Sequence, residues 1–164
     1  MNILKTKILS AFLISLSMLM TAGCATYATE GSSKQKVVYH INYDDPKLQA
    51  GALRNIQNHI NATGAENLDL KVVLHGNGLA LLLEPDSLEK LKKFKHANAD
   101  EAMTAKIDNL KSQGIVFNVC ANTVKGRNVD VATDLYNVDQ KDIVPSGVAE
   151  LAILQNKGYA YIKP

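Results

Sequence analysis

Cys24 and Cys120 are the two thiols of this 164-residue chain, and they sit in opposite settings. Cys24 closes an N-terminal apolar stretch, in Met20-Thr21-Ala22-Gly23-Cys24-Ala25. Cys120 ends an apolar run, Ile115-Val116-Phe117-Asn118-Val119-Cys120, and is followed by Ala121-Asn122-Thr123. A thiol becomes a nucleophile as the thiolate, so its surroundings decide whether it reacts. A cysteine at the end of a strand and the start of a helix lies beside unpaired backbone N–H groups, which favour the anion. A second polar group, His75-Gly76-Asn77-Gly78, also follows an apolar run. Each residue has a plainer reading as well. Cys120 suits a small core position, His75 suits a strand end satisfied by a backbone carbonyl, and the glycines suit turns.

The elements that position these residues follow from periodicity. Residues 36–42 are rich in β-branched types and predict a strand. Asp44-Asp45-Pro46 predicts a helix start, with an acidic cap and proline in the first turn. Leu48, Ala52, Leu53, Ile56 and Ile60 continue it at helical spacing up to Gly64. Residues 70–75 form a second predicted strand, and the apolar run 79–83 is ambiguous. Pro85-Asp86-Ser87 predicts the opening of a lysine-rich helix to about His96, and a further helix spans 100–113. Residues 115–119 are a third strand, followed by a short helical segment. Residues 142–144 are a fourth strand, 146–156 a helix and 158–162 a fifth strand. Strands alternating with helices predict an α/β fold: a three-layer sandwich around a roughly five-stranded parallel sheet with right-handed crossovers. In such open sheets ligands bind beyond the carboxyl ends of the strands. Asn42, then His75-Gly76-Asn77, then Cys120 with Asn122 and Thr123 all fall on that edge.

The N-terminus reads as an export signal. Lys5 and Lys7 precede an apolar stretch from Ile8 to Met20, shorter than the roughly 20 residues a spanning helix requires. Ala22-Gly23-Cys24 resembles the end of a bacterial lipobox, with Thr21 where that motif usually carries Leu. The expectation is a signal peptide over 1–23, lipidation at Cys24, a polar tether over 24–35 and a domain over 36–164. Cleavage after Ala25 or Ala28 is the alternative, giving a soluble exported product. The protein is thus expected in the periplasm, with a lipid anchor as its link to a membrane.

The whole chain has 18 basic and 16 acidic residues. Removing residues 1–23 takes Lys5 and Lys7 and no acid, so the remaining domain is balanced. The charge gives no reason to expect nucleic-acid binding, and the lack of Trp leaves no stacking platform. Lys90, Lys92, Lys93, Lys95 and His96 read as a solvated helix face, or as a surface for an acidic partner.

From Val37 to Pro164 the chain resembles the DsrE/DsrF-like family of sulfur-relay proteins. The matching stretches are Asn42-Tyr43-Asp44-Asp45-Pro46, Val72-Val73-Leu74-His75-Gly76-Asn77-Gly78, Phe117-Asn118-Val119-Cys120-Ala121-Asn122-Thr123, Val144-Pro145-Ser146-Gly147-Val148-Ala149-Glu150-Leu151, and the tail through Gln155 to Pro164. The resemblance implies a parallel α/β sandwich and a homo-oligomer. It also implies a cysteine after the third strand that carries sulfane sulfur as a persulfide, which maps onto Cys120. The family's defining relays run in the cytoplasm, whereas this chain reads as exported.

Two functions follow as expectations. The first is a sulfurtransferase-like persulfide carrier. Cys120 is its reactive thiol and His75 tunes the charge there, while Asn42, Gly76, Asn77, Asn122 and Thr123 hold the substrate. A donor and an acceptor of sulfur are its partners, and no cofactor or metal is expected. The second is a non-catalytic oligomeric module that binds a small ligand or soft metal, with Cys120 structural or a ligand. An exposed Cys120 favours the first and a buried one the second.

Overall fold

The computed structural model describes residues 33–164. The expected signal peptide, the expected lipidation site Cys24 and most of the expected tether lie outside the described residues.

Five strands, β1 (Gln35–Ile41), β2 (Leu68–Leu74), β3 (Val116–Cys120), β4 (Ile143–Val144) and β5 (Ala160–Ile162), form one sheet in the order β4-β3-β2-β1-β5. Every pairing is parallel, as the alternation of strands and helices predicts. Between them run α1 (Pro46–Thr63), α2 (Glu101–Ser112), α3 (Ala121–Arg127), α4 (Val131–Asp134) and α5 (Gly147–Asn156). The sheet carries helices on both sides.

The local signals explain the boundaries. Asp45 caps α1 by accepting from the Leu48 N–H at 2.9 Å, and Pro46 takes the first turn, where no N–H is needed. Gly64 ends the helix at φ +86°, a conformation that costs an L side chain energy. Asp100 caps α2 and Ser146 caps α5 in the same manner.

Side chains alternate across a strand, so the register sorts them onto two faces. Val37, Tyr39 and Ile41 of β1, Leu70, Val72 and Leu74 of β2, and Phe117 and Val119 of β3 belong to one large apolar cluster. Leu53, Ile56 and Ile60 of α1 and Ile107 and Leu110 of α2 complete it. The opposite face holds a small cluster of Val38, Val73, Leu151, Leu154 and Tyr159, with α5 as its cover. The ambiguous run 79–83 is fully buried, within and just after a 3-10 segment over Gly76–Leu81. Gly78 makes this turn possible: a β-carbon there would lie 1.9 Å from the carbonyl oxygen of Ile41.

The lysine-rich helix expected from Pro85 to His96 does not form. A 3-10 turn over Pro85–Glu89 gives way to irregular chain. Long-range bonds outcompete local helix propensity there. The buried Asp134 carboxylate accepts from the Ser87 hydroxyl at 2.8 Å and pairs with the Lys90 ammonium at 2.6 Å. Leu91 and Phe94 turn into the core, and the N–H groups of Asn98 and Ala99 donate to the carbonyls of Ala80 and Leu83.

Candidate functional site

Cys120 is the last residue of β3 and stands directly before α3. Its sulfur meets two helix starts. The Gly147 N–H at the start of α5, and the Thr123 hydroxyl with the Thr123 and Asn122 N–H groups at the start of α3, lie near enough to favour its anion. The Thr123 hydroxyl oxygen also accepts the Gly76 N–H at 2.9 Å, which ties the turn after β2 to the start of α3.

Burial alone would raise the pKa of this thiol, because it disfavours the anion. The donors outweigh it, Gly147 most, then the Thr123 hydroxyl and the amides of Thr123 and Asn122, and the net pKa is lowered. Residue type matters at position 147. A β-carbon there would come within 2.9 Å of the His75 Cβ and 3.2 Å of the Cys120 Cβ. Glycine lets the α5 backbone close over both side chains.

The carrier reading favours an exposed thiol, whereas Cys120 is 4% exposed. The reason is the same close approach of α5, whose first residue packs over both Cys120 and His75.

His75 follows β2 on the face that α5 covers. Its Nε2 lies 2.7 Å from the Nε2 of His40, and the two rings stack with centroids 4.7 Å apart. The Nδ1 of His40 lies 2.6 Å from the Tyr161 hydroxyl. The register places His40 beside Val73 and Val73 beside Asn118, so His75 and Cys120 stand farther along the same face. Burial, then repulsion from His75 and from Lys163, pushes the pKa of His40 down to about 4. Burial and then Lys163 lower that of His75. Both imidazoles are therefore neutral near pH 7. The anion-favouring groups at Cys120 are amides and a hydroxyl, and no imidazolium charge is among them.

The other expected site residues divide. Gly76 and Thr123 meet beside Cys120, and Asn122 contributes its backbone N–H while its side chain faces solvent. Asn77 turns away, accepting from the Arg127 guanidinium at 2.7 Å, and that guanidinium stacks 4.4 Å from the Phe94 ring centroid. Asn42 makes no side-chain hydrogen bond among the described residues; its Cα backs the Gly78 turn. His40, Gly147 and Tyr161 are the site residues that sequence reasoning missed. The available signal was parity: His40 shares a strand face with Asn42, at the end of β1 that faces the ligand-bearing edge.

Among the described residues no group of three or more His, Cys, Asp or Glu side chains is arranged to hold a metal ion. What the site can do chemically is stabilise a sulfur anion at Cys120 beside two neutral imidazoles.

The family model of the DsrE/DsrF-like family matches residues 36–164. No match is found among curated proteins. Among solved structures, the chain is similar to MTH1491 from Methanobacterium thermoautotrophicum, titled a protein of unknown function. That match has 26% identity and a TM-score of 0.62, and covers 80% of this chain and 100% of that one. It is also similar in fold to the ychN protein from E. coli, at 16% identity and a TM-score of 0.55, over 79% of this chain and 99% of that one.

Proposed function

The chain belongs to the DsrE/DsrF-like family, a family generally related to sulfur relay, and on that footing we propose that it is a sulfane-sulfur carrier of the cell envelope with Cys120 as the loaded atom. The observation that carries this reading is the set of donors around the Cys120 sulfur: three backbone N–H groups and the Thr123 hydroxyl. Such a set holds a thiolate, and it suits the anion of a persulfide as well.

In the proposed step Cys120 loses its proton and the thiolate attacks the outer sulfur of a donor persulfide. The new sulfur–sulfur bond forms as the donor's own sulfur–sulfur bond breaks. The electron pair leaves with the donor thiolate, which takes up one proton. Cys120 now carries the extra sulfur and passes it to an acceptor thiolate by the same exchange. Because the thiol is 4% exposed, the reading favours a small inorganic or low-molecular-weight sulfur donor over a bulky one. Export rests on the N-terminal signal and the lipid anchor on Cys24. Among the described residues no helix is long and apolar enough to cross a membrane.

Assembly into a homo-oligomer belongs to the same proposal. Val148 and Ile153 on the outer side of α5 are 65% and 45% exposed, apolar surface that a second copy would cover.

The burial of Cys120 also favours a second reading, a non-catalytic module in which the thiol is structural or a ligand. Mass spectrometry of protein purified from its native compartment separates the two. The carrier reading predicts one or more added sulfur atoms on Cys120, removed by a thiol reductant. An unmodified Cys120 that also stays unmodified after incubation with inorganic polysulfide contradicts it.

A further inference from the structure

The lysine-rich segment that fails to form a helix gathers its charges instead. A helix over Pro85 to His96 would turn Lys90, Lys92 and Lys93 about 100° per residue around its axis. In the irregular path these three side chains line one cavity of about 310 Å³, together with Leu91, Arg127 and Asn128. A two-way clasp holds the arrangement. The Lys93 ammonium donates to the Gly126 carbonyl at 2.5 Å, and the Arg127 guanidinium donates to the Lys93 carbonyl at 3.2 Å.

The charges in this cavity are not balanced. Asp134 neutralises Lys90. Lys92, Lys93 and Arg127 form no ion pair among the described residues, and no Asp or Glu lines the cavity. Asp44, whose charge acts on Arg127, stands 3.7 Å from His96 and outside the lining. A basic side chain in the last turn of a helix ordinarily serves that helix's own end carbonyls. Arg127 does not. Its guanidinium turns to the Lys93 carbonyl and the Asn77 side-chain oxygen and lies over the buried Phe94 ring. A guanidinium has five N–H donors; two are used here, and both acceptors are neutral. Partial burial disfavours the charge that is held there.

We infer that this cavity binds a small tetrahedral oxyanion with two negative charges, of the sulfate, phosphate or thiosulfate class. The planar guanidinium offers its free N–H groups in one fork, and the ammonium groups of Lys92 and Lys93 come from a second segment of chain. Donors from several directions suit an ion with several oxygens better than a halide. Such an ion offsets the mutual repulsion of the three cations. The site is separate from the thiol. Cys120 directly precedes α3 and Arg127 ends it, and its 7 residues span about 10 Å. The inference does not depend on the carrier reading.

The test titrates the full chain with sodium sulfate and with sodium thiosulfate. Sodium chloride holds the ionic strength constant, because exposed charges are screened by any salt. The readout is the NMR shift of the Arg127 Nε–H and of the Lys92, Lys93 and Asn128 amides. The expected result is a saturable shift of these groups. Lys92 makes no side-chain hydrogen bond or ion pair among the described residues, so Lys92→Gln keeps the fold. It weakens binding about tenfold, the worth of one charge-assisted contact. Arg127→Gln weakens it at least as much, and Lys106→Gln on α2, outside the cavity, leaves it unchanged. Shifts that never saturate, or a loss in Lys106→Gln equal to that in Lys92→Gln, overturn the site. Binding to phosphatidylglycerol vesicles without saturation by either free ion also overturns it, and assigns the cations to a membrane surface.

Discussion

The sheet face under α1 and α2 and the face under α5 share the same three central strands and put them to different use. Under α1 and α2 the inward positions of β1, β2 and β3 are apolar, and they interlock with Leu53, Ile56, Ile107 and Leu110. Under α5 two apolar positions, Val38 and Val73, are followed along the strands by His40, Asn118, His75 and Cys120. Hydrophobic burial therefore concentrates on one face, which lets the other carry buried polar groups that would cost stability elsewhere. The side with chemistry sits on a scaffold that does not depend on it.

The largest effect should come from the apolar face. Ile107→Ala or Leu53→Ala removes a fully buried side chain and should cost about 2–5 kcal/mol in denaturant unfolding. The pH profile of Cys120 alkylation in the folded fraction should not move. A profile that shifts with the stability would break the division between the faces.

Next comes acid. The native pKa of His40 is down at about 4 against an ordinary value near 6.5. Between those values the unfolded chain binds a proton that the native state refuses, so stability rises with pH there and falls as pH drops. Below about 4 both states are protonated and the loss levels off. His40 accounts for a loss on the order of 2–3 kcal/mol between pH 7 and pH 4. His40→Asn should flatten this part of the stability curve, whereas Leu53→Ala should lower it without changing its slope.

Gly147→Ala should be felt at both levels. The added carbon meets the β-carbons of His75 and Cys120, an overpacking worth about 1–3 kcal/mol. It also pushes the Gly147 N–H off the sulfur, so the Cys120 pKa should rise and alkylation at neutral pH should slow. A variant that is destabilised with an unchanged thiol would remove Gly147 from the site.

The smallest effect on stability, within about 0.5 kcal/mol, should come from Val148→Lys on the exposed side of α5. Its readout is association. Sedimentation should show wild type as a homo-oligomer and the variant shifted toward monomer. A wild type that sediments as a monomer would leave the outer side of α5 without the proposed partner.

Much of this architecture was legible in the residues. Asp45-Pro46 and Gly64 mark helix ends by local chemistry, and the alternation of strands with helices required a parallel sheet. Cys120 and His75 were legible because strand-to-helix turns on one edge can be located from periodicity. His40 was not: in Val37-Val38-Tyr39-His40-Ile41 it reads as one more alternating strand residue, and its partners come from the end of β2 and from β5. Gly147 was read only as part of a helix start, since nothing local shows that α5 closes over Cys120. The segment from Pro85 to His96 misleads for a related reason. Its lysines favour a helix locally, while Asp134, Ala80 and Leu83 hold the chain in another path. Hydrogen bonds between distant segments, absent from any local pattern, account for each miss.

The central claim is that Cys120 is acidified within the folded protein by the amides of two helix starts. The direct measurement is the rate of iodoacetamide alkylation of native Cys120 against pH, with Cys120→Ser as the blank. The account predicts reaction without unfolding, and a thiolate that forms below the ordinary thiol value of about 8.5. A Cys120 that reacts only after unfolding, or that titrates at or above that value, would contradict it.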